Sequence, residues 1–150
     1  FKVPPRALLR GETYNLTTVL KAFMKLQPDR IDTLSVTGYG PGWVAIQGEK
    51  VDRSVVITSE GQRFDWNCTD FESLSAAHFA QLAQLEVELI IFGSGNRLRF
   101  ASPTWMADLM QKHIGVENMD TQAACRTYNI LAGEGRKVAA ALLIEPSSAQ

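Results

Sequence analysis

A chain of 150 residues with 45% hydrophobic and 21% charged side chains has the size and composition of one globular domain, which excludes a disordered chain, a collagen and a coiled-coil rod. Fifteen basic against sixteen acidic residues leave a net charge of −1 with no block of like charge, so nucleic acid is excluded as a dedicated partner. The longest apolar run, Val138 to Ile144, is seven residues, against the roughly 20 that a transmembrane helix needs, so no transmembrane segment is expected.

The first thirty residues read as an N-terminal extension. Pro4-Pro5 and Gly11 break early structure. Leu16, Val19, Leu20, Phe23, Met24 and Leu26 then fall near helical spacing behind Asn15 or Thr17 as a cap, and Pro28 ends the helix. Two alternatives stay open: this helix belongs to the domain, or residues 1–23 are a leader before a start at Met24. The α/β domain is expected over residues 31–145, with a frayed tail over 146–150.

Residues 31–67 carry strand-length β-branched and aromatic runs: Leu34–Thr37, Trp43–Ile46, Ser54–Thr58 and Arg63–Trp66. Turn signals at Gly38–Gly42 and Ser59–Gln62 separate them, which predicts an antiparallel meander. From residue 70 the rhythm becomes helical, with Phe71, Leu74, Phe79, Leu82 and Leu85 on one face behind Asp70 or Ser73. Leu89–Phe92 is apolar on both faces and predicts a central strand. Ser102-Pro103 opens a helix to about His113, closed by Gly115. Val116–Met119 is a short strand. Asp120 or Thr121 caps a helix through Ala132, with Gly133 as its left-handed end. Arg136–Ile144 is a last strand, again apolar on both faces. Strand, helix, strand, helix, strand with short connections implies parallel crossovers. The fold class is therefore α/β, a single layered domain with a mixed sheet in which a β meander precedes β-α-β-α-β.

Two constellations can carry chemistry. Gly93-Ser94-Gly95-Asn96 follows a central strand, where backbone N–H groups near a helix N-terminus favour an anion, and Arg97 and Arg99 add positive charge. The fingerprint is incomplete, since Leu98 replaces the third glycine and no Walker lysine is present. In the second, Asp120 and Thr121 open a helix on which Gln122, Arg126 and Asn129 form a polar stripe, while Ala124, Tyr128 and Leu131 face a sheet. Cys125 beside Arg126 is a nucleophile only if a base approaches it, and neither His78 nor His113 is placed to do so; a buried, inert thiol is the simpler reading. The crevice residues are thus Gly93, Ser94, Gly95, Asp120, Thr121, Cys125, Arg126 and Asn129, with a small anion as the expected ligand. Trp43, Trp66 and Trp105 read as core or edge aromatics.

No catalytic residue, cofactor or metal site is assigned. Cys68 and Cys125 make no disulfide framework or zinc spacing, and a reducing compartment fits them. That favours the bacterial cytoplasm, with the mitochondrion as the alternative.

Ile114–Thr121, Ala123–Asn129 and Glu134-Gly135-Arg136, with Phe92-Gly93-Ser94-Gly95 and Pro103 upstream, closely resemble a family of small α/β proteins that includes the mitochondrial assembly factor 3 of respiratory complex I. The resemblance implies a layered domain with a mixed sheet, no established catalysis, and a role in assembling membrane complexes through protein contacts. The leading expectation is a non-enzymatic protein-binding or assembly-factor domain; the rival is a small enzyme or anion-binding protein using the crevice.

Overall fold

The segments richest in branched apolar residues take the most enclosed positions. In the structure, a computed structural model that describes residues 33–146, Val55–Thr58, Leu89–Gly93 and Val138–Leu142 are strands buried along nearly their whole length. With Arg63–Asp65 and Gly115–Met119 they form a five-stranded sheet. Numbered along the chain from β1 (Val36–Gly40), β2 (Trp43–Ile46) and β3 (Glu49–Val51), these five are β4, β5, β6, β7 and β8. The order is β5-β4-β8-β6-β7. β4 is antiparallel to β5 and β8, whereas β6 is parallel to both β7 and β8. β6 and β8 are interior neighbours, as strands apolar on both faces must be.

The first half is not one continuous meander. β1, β2 and β3 form a separate three-stranded antiparallel sheet, and the β4–β5 hairpin joins the main sheet. Three residues with two exposed charges gave β3 no apolar signal. Gly38 and Gly40 lie within β1, so the turn shrinks to Pro41-Gly42.

Both helices before β7 are shorter than their apolar spacing predicts. Asp70 caps a single 3₁₀ turn, Phe71–Ser73; Leu74 then becomes extended, with ψ 148°, and buries its side chain. Ser75 starts helix α1, Ala76–Leu82. Likewise Ser102 caps a 3₁₀ turn at Pro103–Trp105 before helix α2, Ala107–Gln111. The left-handed residue after α2 is His113 (φ 56°), and Gly115 opens β7 instead of closing the helix. Helix α3 spans Thr121–Gly133 with Asp120 as its cap, so Gly133 is helical and Gly135 (φ 83°) takes the left-handed position. The helix expected over 16–26 and the tail beyond Pro146 lie outside the described residues.

The main sheet separates two cores. On one face Phe79 and Leu82 of α1 and Leu109 of α2 pack with Trp66, Ile90, Phe92 and Leu143. Phe79 and Phe92 meet edge-on at 5.3 Å, and Trp66 stands 5.7 Å from Phe79, the geometry that aromatic quadrupoles favour. On the other face Cys125 and Tyr128 of α3 pack with Ile57, Ile91, Leu142 and, from the small sheet, Val44 and Ile46. Successive residues of β8 alternate between the two: Ala139 and Ala141 belong to the first core, Val138, Ala140 and Leu142 to the second. Each large side chain fully buried this way contributes about 1.5–3 kcal/mol of transfer free energy. Among the described residues no helix is long and apolar enough to cross a membrane.

Candidate functional site

The carboxyl ends of β6 and β8 meet the start of α3 where the sheet order reverses, with β7 on one side of β6 and β8 on the other. Open α/β sheets bind ligands at such a point. Here Gly95, Asn96, Asp120, Thr121, Gln122 and Leu143–Glu145 floor a cleft of about 340 Å³, and the β1–β2 turn, residues 39–44, forms its wall.

Thr121 ties the floor together. Its buried hydroxyl donates to the Leu143 carbonyl (2.7 Å) and accepts from the Gly95 N–H (2.9 Å), while its own N–H donates to the Gly95 carbonyl (2.9 Å). Ser94, fully buried, donates its hydroxyl to the Arg97 carbonyl and accepts from the Arg99 N–H, both at 2.8 Å, which closes the loop on itself. Gly95 holds φ 101°, and a β-carbon there would strike the Glu145 carboxylate and the Arg99 guanidinium. Only glycine permits both the backbone conformation and the approach.

The loop already has an anion. The Glu145 carboxylate accepts the Asn96 N–H (2.9 Å) and pairs with the Arg99 guanidinium, which also donates to the Ser94 carbonyl and lies 5.0 Å from the Phe71 ring. At the helix start, Asp120 accepts the Ala123 N–H at 2.9 Å. The Asn96 N–H, the Ala123 N–H and the Arg99 guanidinium are thus engaged by the protein's own carboxylates, and the Gly95 N–H by the Thr121 hydroxyl.

The eight crevice residues do not form one group. Gly95, Asp120 and Thr121 line the cleft. Gly93 and Ser94 are buried beneath it. Cys125 is enclosed in the second core, where burial pushes its thiol up to about 12 against the lowering influence of Arg126; a thiol so held is not a thiolate nucleophile. Arg126 points outward, its Nη1 donating to the Tyr39 hydroxyl (2.8 Å). Asn129 faces β1, its carbonyl accepting the Val36 N–H (2.9 Å) and its NH₂ donating to the Val36 carbonyl (2.7 Å). Tyr128, beside it, donates its hydroxyl to the Leu34 carbonyl (2.7 Å). His78 accepts the Ser75 N–H on Nδ1, so its Nε2–H donates to the Asn67 carbonyl (2.6 Å); it is a capping group. Among the described residues no group of three metal-ligating side chains converges.

Sequence reasoning missed Tyr39, Trp43 and Glu145 as cleft residues. The aromatic positions flanking Gly40-Pro41-Gly42 held the available signal, because a tight turn projects its flanking side chains together. Trp43 lies across Gly40, where a β-carbon would come within 2.5 Å of its indole Nε1. Glu145 gave none, being a lone acid beyond an apolar run.

Residues 36–143 match the family described as "Protein of unknown function (DUF498/DUF598)". The chain belongs to this family. It is similar to the Xenopus tropicalis protein named NADH dehydrogenase [ubiquinone] 1 alpha subcomplex assembly factor 3, 30% identical over 140 residues, an alignment covering 90% of this chain and 72% of that protein. Of the Bos taurus protein of the same name the chain spans 45%. A crystal structure of a Bordetella parapertussis protein superposes with a TM-score of 0.71 at 35% identity, covering 75% of this chain and 96% of that one. The solution structure of a Bordetella pertussis protein described as a Mth938-like domain gives 0.70 at 30% identity, with coverages of 79% and 90%. These relatives share the mixed α/β fold described above.

Proposed function

We propose that this chain is a protein-binding assembly factor that acts on a respiratory or other membrane complex without chemical turnover. The observation that carries the reading is its 30% identity, over 140 residues, to a protein named as a complex I assembly factor. Both cysteines are buried, and the His78 imidazole, 3.1 Å from the Ser75 hydroxyl, is held in the capping box at the start of α1. Leu98 and Phe100, 51% and 67% exposed and two positions apart in the loop after β6, supply apolar area suited to a protein contact. Either the bacterial cytoplasm or the mitochondrion suits such work.

The test is affinity capture with the full chain from its native cells under mild detergent, read by mass spectrometry. A subunit or assembly intermediate of a membrane complex is the expected partner, and replacing Leu98 and Phe100 with Ser reduces its recovery. Recovery of no such protein, together with a turnover found in a metabolite screen and lost in Thr121→Val or Asp120→Asn, would overturn the reading in favour of an enzyme.

A further inference from the structure

The cleft is lined by acidic and aromatic side chains together with the start of α3. Three of the backbone donors around it are engaged internally: Gly95 N–H on Thr121, Asn96 N–H on Glu145 and Thr121 N–H on Gly95. Two carboxylates remain in the lining, Asp120 and Glu145, and among the described residues no Lys or Arg lines the cleft. Asp120 uses one oxygen, Oδ1, on the Ala123 N–H. Glu145 likewise receives Asn96 and Arg99 on Oε1. The wall opposite is aromatic, with Tyr39 and Trp43 both half-buried. The protein's own surface cations settle on these two rings, Lys50 Nζ at 5.0 Å from Trp43 and the Arg126 guanidinium at 5.9 Å from Tyr39, which shows the charge the walls attract. About 340 Å³ is near the lower end of the roughly 300–1,000 Å³ typical of ligand pockets, room for one long side chain and too little for a large cofactor.

We propose that this cleft receives an arginine side chain from a basic segment of the partner protein, its guanidinium set against Asp120 and its plane against Tyr39 or Trp43. The identity of the occupant as a protein rests on the assembly-factor reading; the preference for a guanidinium rests on the cleft alone. Arginine is chosen over lysine because a planar, weakly hydrated fork pairs with a carboxylate and stacks on a ring simultaneously. The same protein already uses that combination where Arg99 sits between Phe71 and Glu145.

The experiment titrates the ¹⁵N-labelled full chain with acetyl-Gly-Arg-Gly-amide and with matched peptides carrying Lys, Gln or Glu, following the amides of Asn96 and Gln122 and the indole N–H of Trp43. The expected result is saturable shifts at these positions, strongest for Arg, weaker for Lys, negligible for Gln and Glu, and diminished by salt. Asp120→Asn weakens the Arg peptide at least threefold while leaving the fold intact, because asparagine is as good an N-cap as aspartate. Equal responses to Arg and Gln, a stronger response to Glu, or unchanged affinity in Asp120→Asn would overturn the proposal. Spermidine moving the same signals at lower concentration than the Arg peptide would also overturn it, by assigning the cleft to a small polycation. If a membrane-complex partner is captured but binds wild type and Asp120→Asn alike, the cleft assignment falls and the assembly-factor reading stands. Arg-peptide binding with no such partner has the opposite meaning.

Discussion

Replacing Asn129 with Ala removes one of the contacts through which α3 holds the small sheet. β1 is an edge strand, and the Asn129 amide stands at Val36 where another strand's peptide would, giving one acceptor at 2.9 Å and one donor at 2.7 Å. Each bond contributes about 0.5–1.5 kcal/mol net, so Asn129→Ala is expected to cost about 1–3 kcal/mol. Asn129→Asp should cost at least as much, because the new carboxylate still accepts the Val36 N–H but sets a negative oxygen against the Val36 carbonyl. Urea unfolding of the full chain, followed by circular dichroism and tryptophan fluorescence, measures the loss as a lower midpoint at constant slope. Hydrogen exchange localises it, since the Val36 amide loses protection in both variants. A change below about 0.5 kcal/mol, the ordinary range for a surface substitution, with the Val36 amide equally protected, would refute the argument that this side chain anchors the cleft wall.

Thr121→Val keeps the shape of the side chain but orphans the Gly95 N–H and the Leu143 carbonyl, at roughly 1–3 kcal/mol for each buried group, and calorimetry should show a matching fall in Tm. Cys125 and Cys68, raised by burial to about 12 and about 11 from an ordinary value near 9, keep their protons in the folded chain. Their contribution is complete below pH 9 and is lost as pH rises toward 11–12, so stability measured across that window falls, and Cys125→Ala flattens the fall. At neutral pH a thiol reagent should label neither cysteine faster than the chain unfolds; stoichiometric labelling within seconds would contradict the burial. Gly40→Ala should push the Trp43 indole off the β1–β2 turn, altering fluorescence emission while leaving the urea midpoint nearly unchanged.

The central strands were legible because Leu89–Phe92 and Val138–Leu142 carry apolar residues on both faces, a pattern that leaves few positions other than the middle of a sheet. The start of α3 was legible because aspartate at a helix entrance has one common use, and Asp120 is put to it. The cleft was not. Its wall comes from residues 39–44 and its floor from residues 95–96, 120–122 and 143–145, and local periodicity says nothing about which turn will stand over which helix. Asn129 shows the same limit. A helical wheel places it on a polar stripe, which is correct as polarity, but the stripe faces the edge of a second sheet. Nor does local sequence show that the carboxylate that takes the Asn96 N–H stands 49 positions away along the chain.

The strand order has a kinetic consequence. β8 is the last of the described strands along the chain and the middle one in space, and it alone separates the β4–β5 hairpin from the parallel β6–β7 pair. Until Val138–Leu142 inserts, each pair presents an unsatisfied edge to the other, and neither hydrophobic layer has its shared wall. Closing the sheet brings Thr58 beside Ala139 across most of the domain's length, the kind of distant pairing that slows two-state folding toward the millisecond-to-second range. Synthesis from the N-terminus therefore yields two incomplete half-sheets first, and the domain becomes one cooperative unit only when the final strand reaches the gap between them.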